Sequence, residues 1–391
     1  MIKCVGNLAL RKPTIQQHRP VTAVTGRKGE ADMSMQVRTY ISLDDAMNNA
    51  IASAGRNTYH WIAEKGIGKT SVASGGADQL GMRLVFIDCT QIDIADIGVM
   101  MPNVEQGFAE FLFNKHWGFH LDEPLFIVLD ELTKAPKNVQ AMLHGLLTHP
   151  RRIGSINIHP DSIVITTGNL VVEGVGDRLY DHTANRLIMQ YIRKPKADEW
   201  IEWGAANGIH PAILAWVKRQ PQLFQSFIDD PDGQNPFISN PKKKNQQCIT
   251  PRSLEMGSHS VWDYFNDRID KRNLLASLEG AIGLAGAREL MTFIDLAEQL
   301  PTPQDIIDNP ANAIIPESPP AVCITVMAAL TWIDDSEKLD AWFQYMQRLG
   351  TENQAMWVVQ AKAKKDLAKL MYKNKGFSTW VTDNKHLFGI D

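Results

Sequence analysis

Residues 63–70 read AEKGIGKT, between an apolar run, YHWIA, and a stretch able to begin a helix, TSVASGGADQL. This join limits the folds open to the chain. A strand that turns through glycines straight into a helix presents several backbone N–H groups at the helix N-terminus, where they and the helix dipole favour an anion. The spacing matches the phosphate-loop pattern G-x-x-x-x-G-K-[ST] at every fixed position but the first, where Ala63 replaces glycine. The residues expected around the phosphates are Ala63, Glu64, Lys65, Gly66, Ile67, Gly68, Lys69, Thr70 and Ser71. Gly66 and Gly68 open conformations closed to residues with a Cβ. Lys69 supplies charge to the β- and γ-phosphates of ATP, and the Thr70 hydroxyl is a ligand for Mg²⁺. The extra methyl of Ala63 is harmless if the backbone there has negative φ, and costs roughly 1–2 kcal/mol if φ is positive.

Four further runs alternate with helical patterns: RLVFID, LFIVLD, SIVITT and LIMQYI. Continuously apolar or β-branched runs suit strands covered on both faces, and helical crossovers between them imply a parallel sheet. The expected fold class is therefore α/β, with a five-stranded parallel sheet around the phosphate loop. LFIVLD runs into Glu131, so an apolar strand ends in two carboxylates. Asp130 is placed to hold the magnesium shell, and Glu131 to polarise an attacking water. The apolar stripe Val139, Met142, Leu143, Leu146 and Leu147 predicts a helix after DELTKAP, with Pro136 in its first turn. Ser42 is a candidate N-cap for a helix ending at Gly55, and Thr250 with Pro251 a candidate start for another.

Beyond about residue 195 the strand runs stop and helical patterns take over, with Pro-rich connectors. The chain of 391 residues exceeds one ordinary core. Expected divisions are an extended N-terminal arm over 1–38, a nucleotide-binding αβα domain over 39–195, an all-helical lid over 196–273 and a helical C-terminal extension over 274–391. A net charge of -4 gives no global basic field for nucleic acid. The short basic run PKKKN has no interleaved aromatic residues and reads as a solvated loop. Four widely spaced cysteines form no CxxC pair, which points to a reducing, cytoplasmic setting. No apolar run is long enough to suggest a membrane span. His116 and His120 have a metal-binding spacing if helical, but the sequence between them, with no third ligand nearby, favours a packed loop.

Together these motifs resemble the AAA+ ATPases, and among them the MoxR-like group. IDIADIG resembles the segment that follows the second strand there. LTHPRRIGSINIHPDSIVITTGN resembles a hairpin and a fourth strand ending in a polar sensor, here Asn169. HTANRLIMQYI resembles the stretch whose arginine reaches a neighbouring subunit, here Arg186, with Arg178 a competitor. ITPRSLE resembles the lid helix carrying a second sensor arginine, here Arg252. The resemblance implies an ATPase with Glu131, Asn169, Arg186 and Arg252 in catalysis and Thr70 and Asp130 on Mg²⁺. It also implies a ring homo-oligomer, a hexamer by expectation, that remodels or assembles a protein client, with a von Willebrand factor A-type domain one candidate partner. A nucleic-acid motor or loader, and a nucleotide-gated scaffold without turnover, are the alternatives. Arg151 and Arg152 are expected on the hairpin, facing a pore, a neighbour or solvent.

Overall fold

The computed structural model describes residues 38–53, 55–170, 179–230, 232–239 and 246–384, in one compact unit from Thr39 onward. All of the expected arm over 1–38 but its last residue, together with Arg178 and the PKKKN run, lies outside the described residues.

Among the described residues ten strands occur in chain order: β1 (Tyr40–Ile41), β2 (Tyr59–Ala63), β3 (Arg83–Asp88), β4 (Gly98–Asn103), β5 (Phe108–Phe113), β6 (Leu125–Asp130), β7 (Arg152–Ile153), β8 (Ile156–Asn157), β9 (Ile163–Asn169) and β10 (Ile188–Ile192). Six of them form one sheet in the order β1-β10-β2-β9-β6-β3, every pairing parallel. The expected count of five is thus corrected to six. The additional edge strand, β1, is two residues long, too short to leave a hydrophobic pattern in the sequence.

Strand β6 shows why the sequence reads as a continuous apolar run. Leu125, Ile127 and Leu129 belong to the core on one face of the sheet, while Phe126 and Val128 belong to the core on the other. Successive side chains point to opposite faces, and both faces are covered. Helices α1 (Leu43–Ala52) and α2 (Lys69–Leu80) lie on the Phe126 side. Ser42 caps α1 through the Asp45 amide, and Asp45 returns the bond to the Ser42 backbone. Gly76 of α2 has a clear reason: a Cβ there would lie 2.6 Å from the Met47 Cε of α1, so the two helices close at that point. A Cβ on Gly75 would meet nothing within 4 Å, and nothing in the packing explains that glycine.

After the short α3 (Ile94–Ile97), β4 and β5 form an antiparallel hairpin, an element the sequence reading did not anticipate. The other two-stranded ribbon, β7–β8, is the expected hairpin before β9. The predicted single helix over the Val139–Leu147 stripe is divided into α4 (Lys137–Leu143) and a 3₁₀ turn over His144–Leu146. Val139, Leu143, Leu146 and Leu147 are buried all the same. Pro136 is the N-cap of α4 rather than a first-turn residue. His116 lies in a 3₁₀ turn closed by Gly118 at φ 71°, so the helical spacing to His120 is not realised.

Arg151 departs most from expectation. It is 1% exposed rather than turned toward solvent or a neighbour. Its guanidinium donates to the Leu146, Gly55 and Asn57 carbonyls and to the Thr58 hydroxyl. Burial pushes its pKa down to about 10. The reason is local: the loop entering β2 and the 3₁₀ turn both present carbonyls inward, and one five-donor fork satisfies them. Arg152 is exposed on β7.

The remaining helices are α5 (Asp181–Ala184), α6 (Ala197–Ala206), α7 (Pro211–Arg219), α8 (Pro251–Phe265), α9 (Lys271–Ala297), α10 (Pro303–Asp308), α11 (Pro319–Trp332), α12 (Ser336–Met346), α13 (Thr351–Ala363), α14 (Lys365–Lys373) and α15 (Lys375–Asp383). Thr250 caps α8 with Pro251 at its first position, as read from the sequence. The expected boundary at 273/274 falls within the first turn of α9. A single hydrophobic core runs from Ala197 to Trp380 and takes in Trp200, Trp216, Trp342 and Trp357. Among the described residues no helix is long and apolar enough to cross a membrane.

Replacing Arg151 by Ala leaves several inward carbonyls without a donor. The expected loss is about 3 kcal/mol or more, read as a lowered urea midpoint, with no recovery in Arg151→Lys, whose single ammonium cannot span the same partners.

Candidate functional site

The site lies at the C-terminal ends of the parallel strands, where open α/β sheets place ligands. Ala63 ends β2 fully buried and is paired with Asn169 of β9. It is absent from the residues with positive φ, so its methyl sits on ordinary extended backbone without strain. The strain is carried downstream by glycine. Gly66 has φ 70° and Gly68 φ 101°, the latter as N-cap of α2. No side chain caps that helix start. Its first amides are therefore left to whatever the loop encloses.

Lys69 begins α2. Its ammonium donates to the Glu64 carbonyl and the Asn169 Oδ1, each at 3.3 Å, and forms no ion pair among the described residues. Burial pushes its pKa down to about 8; Asp130 and Glu131 oppose that shift, and the charges of Arg252 and Lys134 add to it. A desolvated cation facing only neutral oxygens, beside an uncapped helix start, fits an anion. Lys65 is exposed, as is Ser71, while Ile67 is buried and Thr70 half-buried.

The acidic strand end is held by a threonine. The Thr167 hydroxyl donates to Asp130 Oδ1 and accepts from the Glu131 amide at 3.0 Å. Glu131 stands in the left-handed region at φ 51°, an uncommon conformation for a residue with a Cβ. Asn169 Nδ2 donates to Glu131 Oε1 at 2.9 Å, and Lys134 donates to Oε2. Burial works to raise the Glu131 pKa, but the bonds from Lys134 and Asn169 and the charges of Lys134 and Lys69 outweigh it, leaving the group below its ordinary value. It is a carboxylate at neutral pH. Asn169 thus touches both Lys69 and Glu131, linking the phosphate loop to the acidic strand end.

Behind this row His60 is 2% exposed, with Nδ1 2.6 Å from Thr166 Oγ1. Burial, then the charge of Lys69, pushes its pKa down to about 4, so it stays neutral. A Cβ on Gly168 would lie 2.8 Å from the His60 Nε2, so the glycine before Asn169 makes room for that ring.

The helical part of the chain closes onto the loop. The Arg252 amide donates to the Gly66 carbonyl at 3.1 Å, and a Cβ on Gly66 would lie 2.9 Å from the Thr250 hydroxyl. The Arg252 side chain is exposed and lines a cavity of about 410 Å³ beside Gly68, Thr70 and Ser71. That cavity extends past Asp44, Trp203 and Asn207. Thr70 and Asp130 offer a hydroxyl and a carboxylate, hard oxygen donors of the kind Mg²⁺ takes. Arg186 does not join this group. It is exposed after α5, with Nη1 donating to the His182 carbonyl.

Thr167, Lys134 and the wall formed by Asp44, Trp203 and Asn207 escaped the sequence reading. Thr167 had a usable signal. It precedes Asn169 by two in a strand, so the two side chains share a face. The wall had none, since Asp44 comes from α1 while Trp203 and Asn207 come from α6 and its C-cap, more than 150 residues later.

No protein-family profile matches the chain, and no curated protein matches it. Solved structures do. The fold itself is α/β, a six-stranded parallel sheet covered on both faces. A RuvB mutant from Thermotoga maritima is 17% identical, covering 61% of this chain and 72% of that one, with a TM-score of 0.36. Hsp104 with ATPγS and FITC-casein is 15% identical, covering 61% and 44%, with a TM-score of 0.35. An MCM homologue from Methanopyrus kandleri is 11% identical, covering 63% and 52%, with a TM-score of 0.28. Identities this low bear on the fold alone, and TM-scores below 0.5 add no argument about what this chain does.

Lys69 carries a pH prediction. A nucleotide triphosphate needs the ammonium charged, so binding above about pH 8 takes up a proton. The apparent Kd for ATP is expected to rise by up to about tenfold per pH unit beyond that point. Calorimetry in two buffers of different ionisation enthalpy at pH 8.5 reads the proton uptake directly. The apo fold shifts the other way: the depressed pKa disfavours the charged folded state, and that penalty fades as pH rises through 8.

Proposed function

We propose that this chain is an ATPase that works as a ring and acts on a protein partner, in the manner of MoxR-like AAA+ proteins. The observation that carries the nucleotide reading is Lys69, a half-buried cation with no carboxylate ion pair among the described residues, at an uncapped helix start that follows two left-handed glycines. Amides from Glu64 to Thr70 wrap the phosphates, and Lys69 and Arg252 balance their charge. Thr70 and Asp130 would hold Mg²⁺, which supplies charge neutralisation between the β- and γ-phosphates. Glu131, already a carboxylate, accepts a proton from the attacking water at Oε1 or Oε2 once Asn169 and Lys134 release those atoms. Asn169 then turns its amide toward the γ-phosphate and orients the water.

Arg186 supports the ring reading. An exposed arginine whose guanidinium, among the described residues, donates to a carbonyl and lies away from its own chain's phosphate loop can serve a neighbour. The β4–β5 hairpin supports a protein rather than a nucleic-acid partner. Val99, Met100, Met101, Val104, Phe108 and Leu112 are exposed on it, and residues 94–114 include no Lys or Arg. Nucleic-acid surfaces are basic; this one is apolar and weakly acidic.

ATP turnover per subunit is expected to rise with protein concentration and then saturate. Arg186→Ala is expected to bind ATP normally and lose about 10³-fold or more of the assembled rate, the order an arginine finger contributes. Flat specific activity from dilution to saturation, in wild type and Arg186→Ala alike, rules out the neighbour's arginine. Glu131→Gln is expected to bind ATP without turnover. If wild type binds ATP and is equally inert, the protein is a nucleotide-gated scaffold.

A further inference from the structure

Glu64 lies inside the phosphate loop, yet its side chain does not serve the loop. It is 8% exposed, and its Oε1 accepts a hydrogen bond from the hydroxyl of Ser226, far along the chain in the helical part. The Phe227 amide also bonds the carboxylate. A second buried charge grips the same turn from the other side. Lys194 is 7% exposed, just after β10, and its ammonium donates to the Leu223 carbonyl at 3.4 Å and the Gln225 carbonyl at 3.2 Å, over the Phe224 ring. Burial of an ionisable group is unfavourable unless it is paired or hydrogen-bonded. Here two such groups, one from the phosphate loop and one from the strand-to-helix connection, are both satisfied by residues 223–227.

That turn is not a loose loop. Leu223 and Phe224 belong to the large core that includes α6, α7 and α11. The phosphate loop therefore meets the helical part at two places of different kind: Gly66 against Thr250 and the Arg252 amide, and Glu64 against Ser226 and Phe227.

We propose that Glu64 is a positioning residue that couples the phosphate loop to the helical part through Ser226, so that filling the loop sets the orientation of the helices carrying Arg252. The inference rests on the nucleotide reading above. The loop's amides bind phosphate; the Glu64 carboxylate, pointing the other way, reports the loop's shape to the turn. A loop tightened on a triphosphate shifts Glu64, Glu64 moves the 223–227 turn, and the shared core moves with it. Burial raises the Glu64 pKa, opposed by the Ser226 bond and the Lys194 charge; its grip therefore depends on those partners remaining in place.

The experiment uses the full chain and Ser226→Ala, with Ser226→Thr as the conservative rescue. Three readouts are taken: Kd for a fluorescent ATP analogue with Mg²⁺, kcat at saturating ATP, and hydrogen–deuterium exchange over 221–228 with and without ATPγS. Expected for Ser226→Ala are a Kd within twofold of wild type, a kcat lowered about fivefold or more, and loss of the ATPγS-dependent change in exchange, with Ser226→Thr recovering kcat and exchange. A Ser226→Ala protein matching wild type in kcat and exchange overturns the coupling. So does one in which ATP affinity, kcat and thermal stability fall together without recovery in Ser226→Thr, because that is the mark of a merely structural bond. If wild type itself binds no ATP, the nucleotide reading fails and this inference with it; if wild type binds and turns over ATP while Ser226→Ala does so equally, only the coupling fails.

Discussion

The site is organised around one electrostatic problem: a lysine ammonium taken out of water without an anion to receive it. Lys69 meets only the Glu64 carbonyl and the Asn169 side-chain oxygen, and its pKa drops accordingly. Such a group is tolerated where a ligand will supply the missing charge. The neighbouring features gather around that ammonium. Glycines at 66 and 68 turn the backbone so that amides converge on the same point. Thr167 fixes Asp130 and the Glu131 amide to the adjacent strand ends. Asn169 spans the distance between cation and carboxylate, and holds both until a stronger partner arrives.

Much of the central fold was legible because hydrophobic pattern and strand order leave long, redundant signals. YHWIA, LFIVLD and SIVITT read as doubly covered strands and are so, and Thr250 with Pro251 marked a helix start to the residue. Ala63 in the first motif position was readable as harmless only once its backbone proved extended. What escaped reading depended on tertiary contact. A two-residue edge strand has no periodicity to detect. Arg151, charged and next to a hairpin, looks like a surface residue until the four groups around it are seen. Gly76 likewise has its cause in a methionine nearly thirty residues earlier in the chain.

The carboxylate of Glu131 illustrates how local strain and chemistry combine. Its left-handed backbone aims the side chain at Asn169 and Lys134 instead of along the strand. Held in this way it is ionised, but both of its oxygens are engaged. A carboxylate that is charged yet occupied on both oxygens has no free lone pair directed at solvent until one of its partners lets go. The unstrained alternative would leave the carboxylate free in the isolated subunit.

The helical half has its own consequence. Because one hydrophobic core runs from Ala197 to Trp380, the helices that close over the phosphate-loop cavity and those of the last hundred positions share the same interior. Helix α11 supplies Ile324, Met327 and Leu330 to that interior, and Trp342 and Trp357 come from α12 and α13. The chain therefore has no natural trimming point after α9. A shortened version ending there would bare the apolar flank of α7 and lose the scaffold behind Arg252. Whatever the tail touches outside the molecule, it is first a foundation for α6 and α7, whose apolar sides rest on the same interior.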